Sequence, residues 1–130
     1  MEETAWQPSD AEIEILQVLW DHEPATVRFV HEQLSAKKEV GYTTTLKQMQ
    51  RMYEKGMLLR TESGKTHYYT TEVKAPQVRQ TAFSHLLEKV FNGSAIDLLL
   101  HAIGQGKSTP EEIEALEKLI QEKKKQHNNE

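Results

Sequence analysis

Cysteine is absent from all 130 residues, which excludes disulfide stapling and any thiolate metal or redox site. Long apolar runs are missing as well. No stretch approaches the roughly 20 residues of a membrane helix and no signal-peptide core follows Met1, so the expectation is no membrane insertion and a cytoplasmic location. Catalytic signatures are lacking: there is no GxSxG elbow, no phosphate loop and no dinucleotide fingerprint. The six histidines, His22, His31, His67, His85, His101 and His127, show no HExxH spacing, so neither a metal nor another cofactor is expected. The paired acids Glu111-Glu112 sit in a first helical turn, where the helix dipole accounts for them without catalysis. An enzyme has no constellation to stand on. Net positive charge is the last thing missing. The chain carries −4 at pH 7, which taken whole argues against a nucleic-acid partner.

The distribution of charge along the chain points the other way. Residues 1–36 hold one cation, Arg28, against eight acids, whereas residues 37–65 hold seven cations against three acids. A local basic footprint matters more for nucleic acid than the total. Within the basic stretch, a helix from about Thr43 puts Leu46, Met49 and Tyr53 on an apolar stripe, with Met52 at its border. Thr44, Lys47, Gln48 and Arg51 fall at i, i+3, i+4 and i+7 on the other side, with Thr43 at the helix start. This second stripe holds donors and no carboxylate. Arg can bond guanine bidentately, Gln can bond adenine, and Thr and Lys reach bases or phosphates. A reading surface for nucleic acid is the expectation, and an ordinary polar face is what periodicity alone leaves open.

The following residues favour the first. Lys55-Gly56 is a helix stop, Met57 to Glu62 reads as a strand, Ser63-Gly64-Lys65 as a turn, and Thr66 to Thr71 as the returning strand. Alternation along that strand puts at least one of Tyr68 and Tyr69 in the core. A polar helix followed by a hairpin with cations near its tip is the order of a winged helix-turn-helix. There the helix enters the major groove and the wing, Arg60 to Lys65, lies along the backbone. Upstream, Ser9 and Glu12 form a capping box. The helix they open carries Ile13, Leu16 and Trp20 on one face, widened by Ile15 and Leu19, and ends before Pro24. Thr26 caps a second helix with Val27, Val30 and Leu34. Three short helices and a hairpin fit within residues 1–74.

These residues carry a resemblance. Ser9 to Leu16 with Val18-Leu19-Trp20, then Thr26-Val27-Arg28, Tyr42 to Leu46, Arg51, Glu54-Lys55-Gly56, Gly64-Lys65 and Tyr69 are similar to the BlaI/MecI penicillinase-repressor family. The likeness returns at Phe91 to Ser94 and at Glu111-Glu112-Ile113 with Leu116. It implies a homodimeric winged-helix repressor on a palindromic operator of β-lactamase or envelope-stress type genes, released when a membrane sensor peptidase triggers its cleavage. Three departures stand out. The Asn-Phe pair cut in well-known relatives aligns with His101 and Ala102, so no cut by a family peptidase is expected at that bond. Copper-responsive relatives use a C-terminal cysteine motif that this chain lacks. Lys47 stands where relatives usually have Thr, which bears on the operator sequence.

Residues 75–130 read as a helical dimerisation region. Ala75-Pro76 starts a helix lined by Phe83, Leu86, Leu87, Val90 and Phe91, stopped at Asn92-Gly93. Ser94 caps a helix from Ala95 to Ile103 whose Ile96, Leu98, Leu99, Leu100, Ala102 and Ile103 leave almost no polar face. Such a helix must be buried nearly all round, and a second copy is the simplest partner. Thr109 to Glu112 is another capping box, opening a helix with Ile113, Leu116 and Ile120 on one stripe. Lys123 to Lys125 suit a helix end, and residues 126–130 read as disordered. The fold expected is mainly α with a small β-hairpin wing. The function expected is a dimeric DNA-binding repressor; the alternatives are a winged helix for protein–protein contact only and a repressor released by a ligand.

Overall fold

Ser9 opens the first helix by a reciprocal cap. In the computed structural model, which describes residues 6–106 and 108–128, the Ser9 hydroxyl accepts the Glu12 N–H at 3.2 Å. The Glu12 carboxylate in turn accepts the Ser9 N–H at 2.8 Å. This starts α1 (Asp10–His22). Thr26 caps α2 (Val27–Ser35), its hydroxyl accepting the Phe29 N–H at 3.1 Å. Then follow α3 (Tyr42–Glu54), β1 (Leu58–Ser63), β2 (Thr66–Thr71), α4 (Ala75–Lys89), α5 (Ala95–Gly104) and α6 (Pro110–Asn128). The fold is mainly α with one small antiparallel hairpin, as the pattern implied.

The hairpin is closed by Gly64 and Lys65, with Ser63 opposite Thr66 and Leu58 opposite Thr71. Gly64 takes φ +65°, a value that tight two-residue turns demand at a central position and that residues with a Cβ resist. The hairpin and the residues just after it are fastened to the end of α1 and the loop that follows it at three points. Ala25 and Tyr69 exchange both backbone hydrogen bonds, at 3.1 and 2.8 Å. The Trp20 indole N–H donates to the Val73 carbonyl at 2.9 Å. Glu23 accepts the Thr71 N–H at 2.7 Å as well as its hydroxyl.

The core lies under this frame. Leu16, Leu19, Val30, Met49, Met52, Met57, Leu58 and Val73 are all but fully buried, and Tyr69 is the buried member of the tyrosine pair. Each large apolar side chain taken wholly from water contributes about 1.5–3 kcal/mol, so this set dominates the stability of the unit. The buried stripe of α3 is rotated from the one expected. It consists of Thr45, Met49 and Met52, whereas Leu46 is half-buried and Tyr53 is exposed. Thr45 can face the core because its hydroxyl leans back on the Gly41 carbonyl, and Tyr53 turns outward to meet Arg60. On α1 the buried face is Glu12, Ile15, Leu16 and Leu19, with Ile13 and Trp20 at its rim. Trp20 stays there because its N–H needs the carbonyl it has found.

Glu12 is the one acid in that core face. Its carboxylate meets the Lys55 ammonium at 2.6 Å. Burial opposes its ionisation, but the hydrogen bonds from Lys55 and from the Ser9 backbone outweigh it, and its pKa falls below the ordinary 4.5. A folded pKa below the unfolded one means stability that is fully present above about pH 4.5 and lost as the pH falls through the folded value. Denaturation midpoints measured from pH 7 to pH 2 should therefore fall on the acid side for the parent. Glu12→Gln should start lower at pH 7 and lose less over the same range. Parallel curves for the two would remove Glu12 from the acid response.

The chain divides into two compact units, Met1–Ser84 and His85–Glu130. In the second, the Ser94 hydroxyl accepts the Asp97 N–H at 3.2 Å, and Thr109 and Glu112 form a reciprocal cap at 2.9 and 3.1 Å. Neither α5 nor α6 has a buried residue among those described: Ile96 is 60% and Leu100 58% exposed. In the single chain, α5 does not find the surrounding that its composition demands. Gln126, His127 and Asn128 continue α6 rather than forming a disordered end, since the helix ladder carries on through this polar stretch. Residues 129 and 130 lie outside the described residues.

Candidate nucleic-acid interface

The face of α3 away from the core decides what this unit can touch. With Thr45, Met49 and Met52 inward, helical spacing turns Thr43, Thr44, Lys47 and Arg51 outward, and all four are exposed. Gln48 lies closer to the core and is half-buried, whereas Gln50 is exposed. The face is free of carboxylates until Glu54, which joins it in the last turn. Gly41, the N-cap, offers no side chain to cap the first N–H groups of the helix, and the first turn contains no acid. The positive end of the α3 dipole is thus open to an anion.

Not every cation of the basic stretch serves this face. Lys38 is held by Glu14 at 2.6 Å and Lys55 by Glu12 at the same distance. Both acids come from α1, so two of the cations counted in residues 37–65 are neutralised in place. Arg60 is engaged differently. It sits opposite Tyr69 in the hairpin and its guanidinium lies over the Tyr53 ring, 4.1 Å from the centroid. The side-chain hydrogen bond with Tyr69 pushes its pKa up from an already high value, so it is permanently charged. Lys65 stands exposed at the turn, and His67 faces Glu62 across the strands at 3.2 Å.

Sequence charge alone assigns Arg28 to the acidic segment. Its guanidinium lies 5.8 Å from the centroid of the Tyr42 ring at the start of α3, and the His31 ring packs edge-on to the same tyrosine at 5.6 Å. Arg28, Tyr42 and Gln50 lie together beside this face, a grouping that sequence reasoning misses. The signal available was the i, i+3 spacing of Arg28 and His31 on the helix preceding α3.

The apolar residues expected to pair two chains are spread over α4 to α6. Phe83, Ile96, Leu100, Ile113 and Ile120 are exposed in the single chain, and Leu87, Phe91, Leu99, Ile103 and Leu116 are half-buried. His101 and Ala102 are exposed on α5, with the His101 ring edge-on to Phe91 at 6.0 Å. Among the described residues, no group of three His, Asp or Glu could hold a metal ion, and no helix is long and apolar enough to cross a membrane.

The sequence profile of the family described as penicillinase repressor matches residues 8–122. The methicillin resistance regulatory protein MecI of Staphylococcus aureus (strain N315) is 23% identical over 123 residues, 95% of this chain and 100% of the relative. The penicillinase repressor of Bacillus licheniformis is 25% identical over 118 residues, 91% of this chain and 92% of the relative. The transcriptional regulator BlaI of Mycobacterium tuberculosis (strain ATCC 25618 / H37Rv) is 30% identical over 114 residues, 74% of this chain and 82% of the relative. A match over this much of the chain, on a winged helix with an open donor face, is decisive: the chain belongs to the penicillinase repressor family, made up of transcriptional repressors and not of enzymes.

Proposed function

We propose that this DNA-binding transcriptional repressor works as a homodimer on a palindromic operator. Thr43, Thr44, Lys47, Gln48 and Arg51 of α3 face the major groove, while Arg60 and Lys65 of the wing follow the backbone. The observation that carries this is the exposed donor face of α3, free of acids over its first three turns and flanked by a wing with a cation at its tip. The dimer rests on α5. A helix apolar on nearly every side with no buried residue needs a partner surface, and a second copy supplies it by symmetry. Residues 1–74 then serve as the DNA-binding domain and residues 75–130 as the dimerisation domain. Relatives named for penicillinase and for methicillin resistance favour β-lactamase type genes as targets; envelope-stress type genes and a membrane sensor peptidase as the origin of the inducing signal are what the family resemblance implies. Because His101 and Ala102 replace the cleaved pair, release proceeds by a cut elsewhere or by a ligand.

Operator capture from the protein's own genome tests this reading. Purified protein should retain fragments with two inverted half-sites about one helical turn apart. Its affinity for them should fall steeply as salt is raised, since phosphate contacts release counterions. A winged helix used only for protein contact would show neither, and a flat salt response would end the DNA-binding reading.

A further inference from the structure

Between the start of α2, the first turns of α3 and the hairpin runs a groove that the DNA-reading face of α3 does not include. Arg28 of α2 lines it together with Tyr42 and Gln50 of α3 and Arg60, Lys65 and His67 of the hairpin. Two elements distant in sequence thus bring basic side chains to one depression. No carboxylate lines it, although the chain contains twenty acids; Glu62 touches it only through His67. Arg28 differs from the cations nearby. Lys38 and Lys55 are each taken by a glutamate, whereas Arg28 makes no ion pair among the described residues. Its guanidinium instead lies over the Tyr42 ring. Contact of that kind steadies the planar group and leaves its N–H edge free, the edge that bonds phosphate oxygens bidentately.

We propose that this groove holds the sugar-phosphate backbone of the bound duplex, with Arg28 as its central cation. The proposal rests on the DNA-binding reading above and extends the footprint to a helix that sequence charge assigns to the acidic part of the chain. A backbone contact carries no sequence information. Arg28 therefore sets general affinity, and selectivity stays with α3.

Anisotropy titrations of the full-length protein against operator and unrelated duplexes, over a range of salt, test it. Arg28→Met keeps the stem over Tyr42 and removes the charge. It should weaken both duplexes by the same factor, roughly tenfold for each copy in contact, and lower the salt slope by about two units in the dimer, about one per protomer, with selectivity unchanged. Arg28→Lys should restore the slope, and Arg28→Gln gives the same readout as the Met variant should that one unfold. Parent-like affinity and slope in Arg28→Met, alongside lost operator binding in Arg51→Ala, would overturn the groove and leave the DNA-binding reading standing. A loss confined to the operator would make Arg28 a base reader and overturn the backbone assignment. Salt-independent or absent DNA binding by the parent would overturn both.

Discussion

Leu100→Asp is expected to turn the protein into a monomer and to weaken operator binding by about 10²–10⁴, the range in which linking two half-site contacts raises affinity. Leu100 is 58% exposed in the single chain, so a carboxylate there stays in water and costs the monomer little. In a paired surface built from Ile96, Leu99, Leu100 and Ile103 the same carboxylate loses its water without gaining a partner, at a cost of several kcal/mol. Sedimentation should give the monomer mass with unchanged helical content. A parent-like dimer with parent-like affinity would move the interface away from this face of α5.

Arg51→Ala should cost about 1–3 kcal/mol of operator binding for each half-site, roughly ten- to a hundredfold apiece, with little effect on unrelated DNA. Arg51 is exposed on the outer face of α3, makes no ion pair among the described residues, and lies one turn after Lys47. The substitution touches nothing in the core, so the melting temperature should hold. Competition titrations read the selectivity directly. If the operator and unrelated duplexes weaken equally, Arg51 contacts phosphate, and α3 sits in the groove at a different rotation.

Local chemistry was legible in the sequence because its cause is local. The caps at Ser9, Thr26, Ser94 and Thr109 follow from a side chain within reach of a backbone N–H three residues on. The hairpin follows from a glycine turn between two β-prone runs. The rotation of α3 was not legible. Leu46, Met49, Met52 and Tyr53 span an arc wider than the buried one, and the partners that choose within it come from α1 and the hairpin. A hydrophobic scale cannot tell that Tyr53 leaves the core for Arg60. The Glu12–Lys55 pair joins residues 43 positions apart, and no spacing rule links them. Arg28 escapes a sequence reading for a related reason. Counting charge along the chain assigns each cation to its neighbours in sequence, whereas the tertiary fold sets it against Tyr42.

The stack of Arg60 on Tyr53 has a mechanical consequence. It joins the hairpin to α3 at 4.1 Å, next to the buried Tyr69 that is itself bonded to Ala25. Helix and wing are therefore tied together at the base of the hairpin, and the gap between them costs energy to change. On the reading proposed above, a duplex held by both adapts its own groove width and curvature toward that gap. The elastic cost of doing so varies with base sequence, being lower where flexible pyrimidine–purine steps fall at the strained positions. Base pairs that no side chain reaches then influence which operators are occupied, through the stiffness of the DNA.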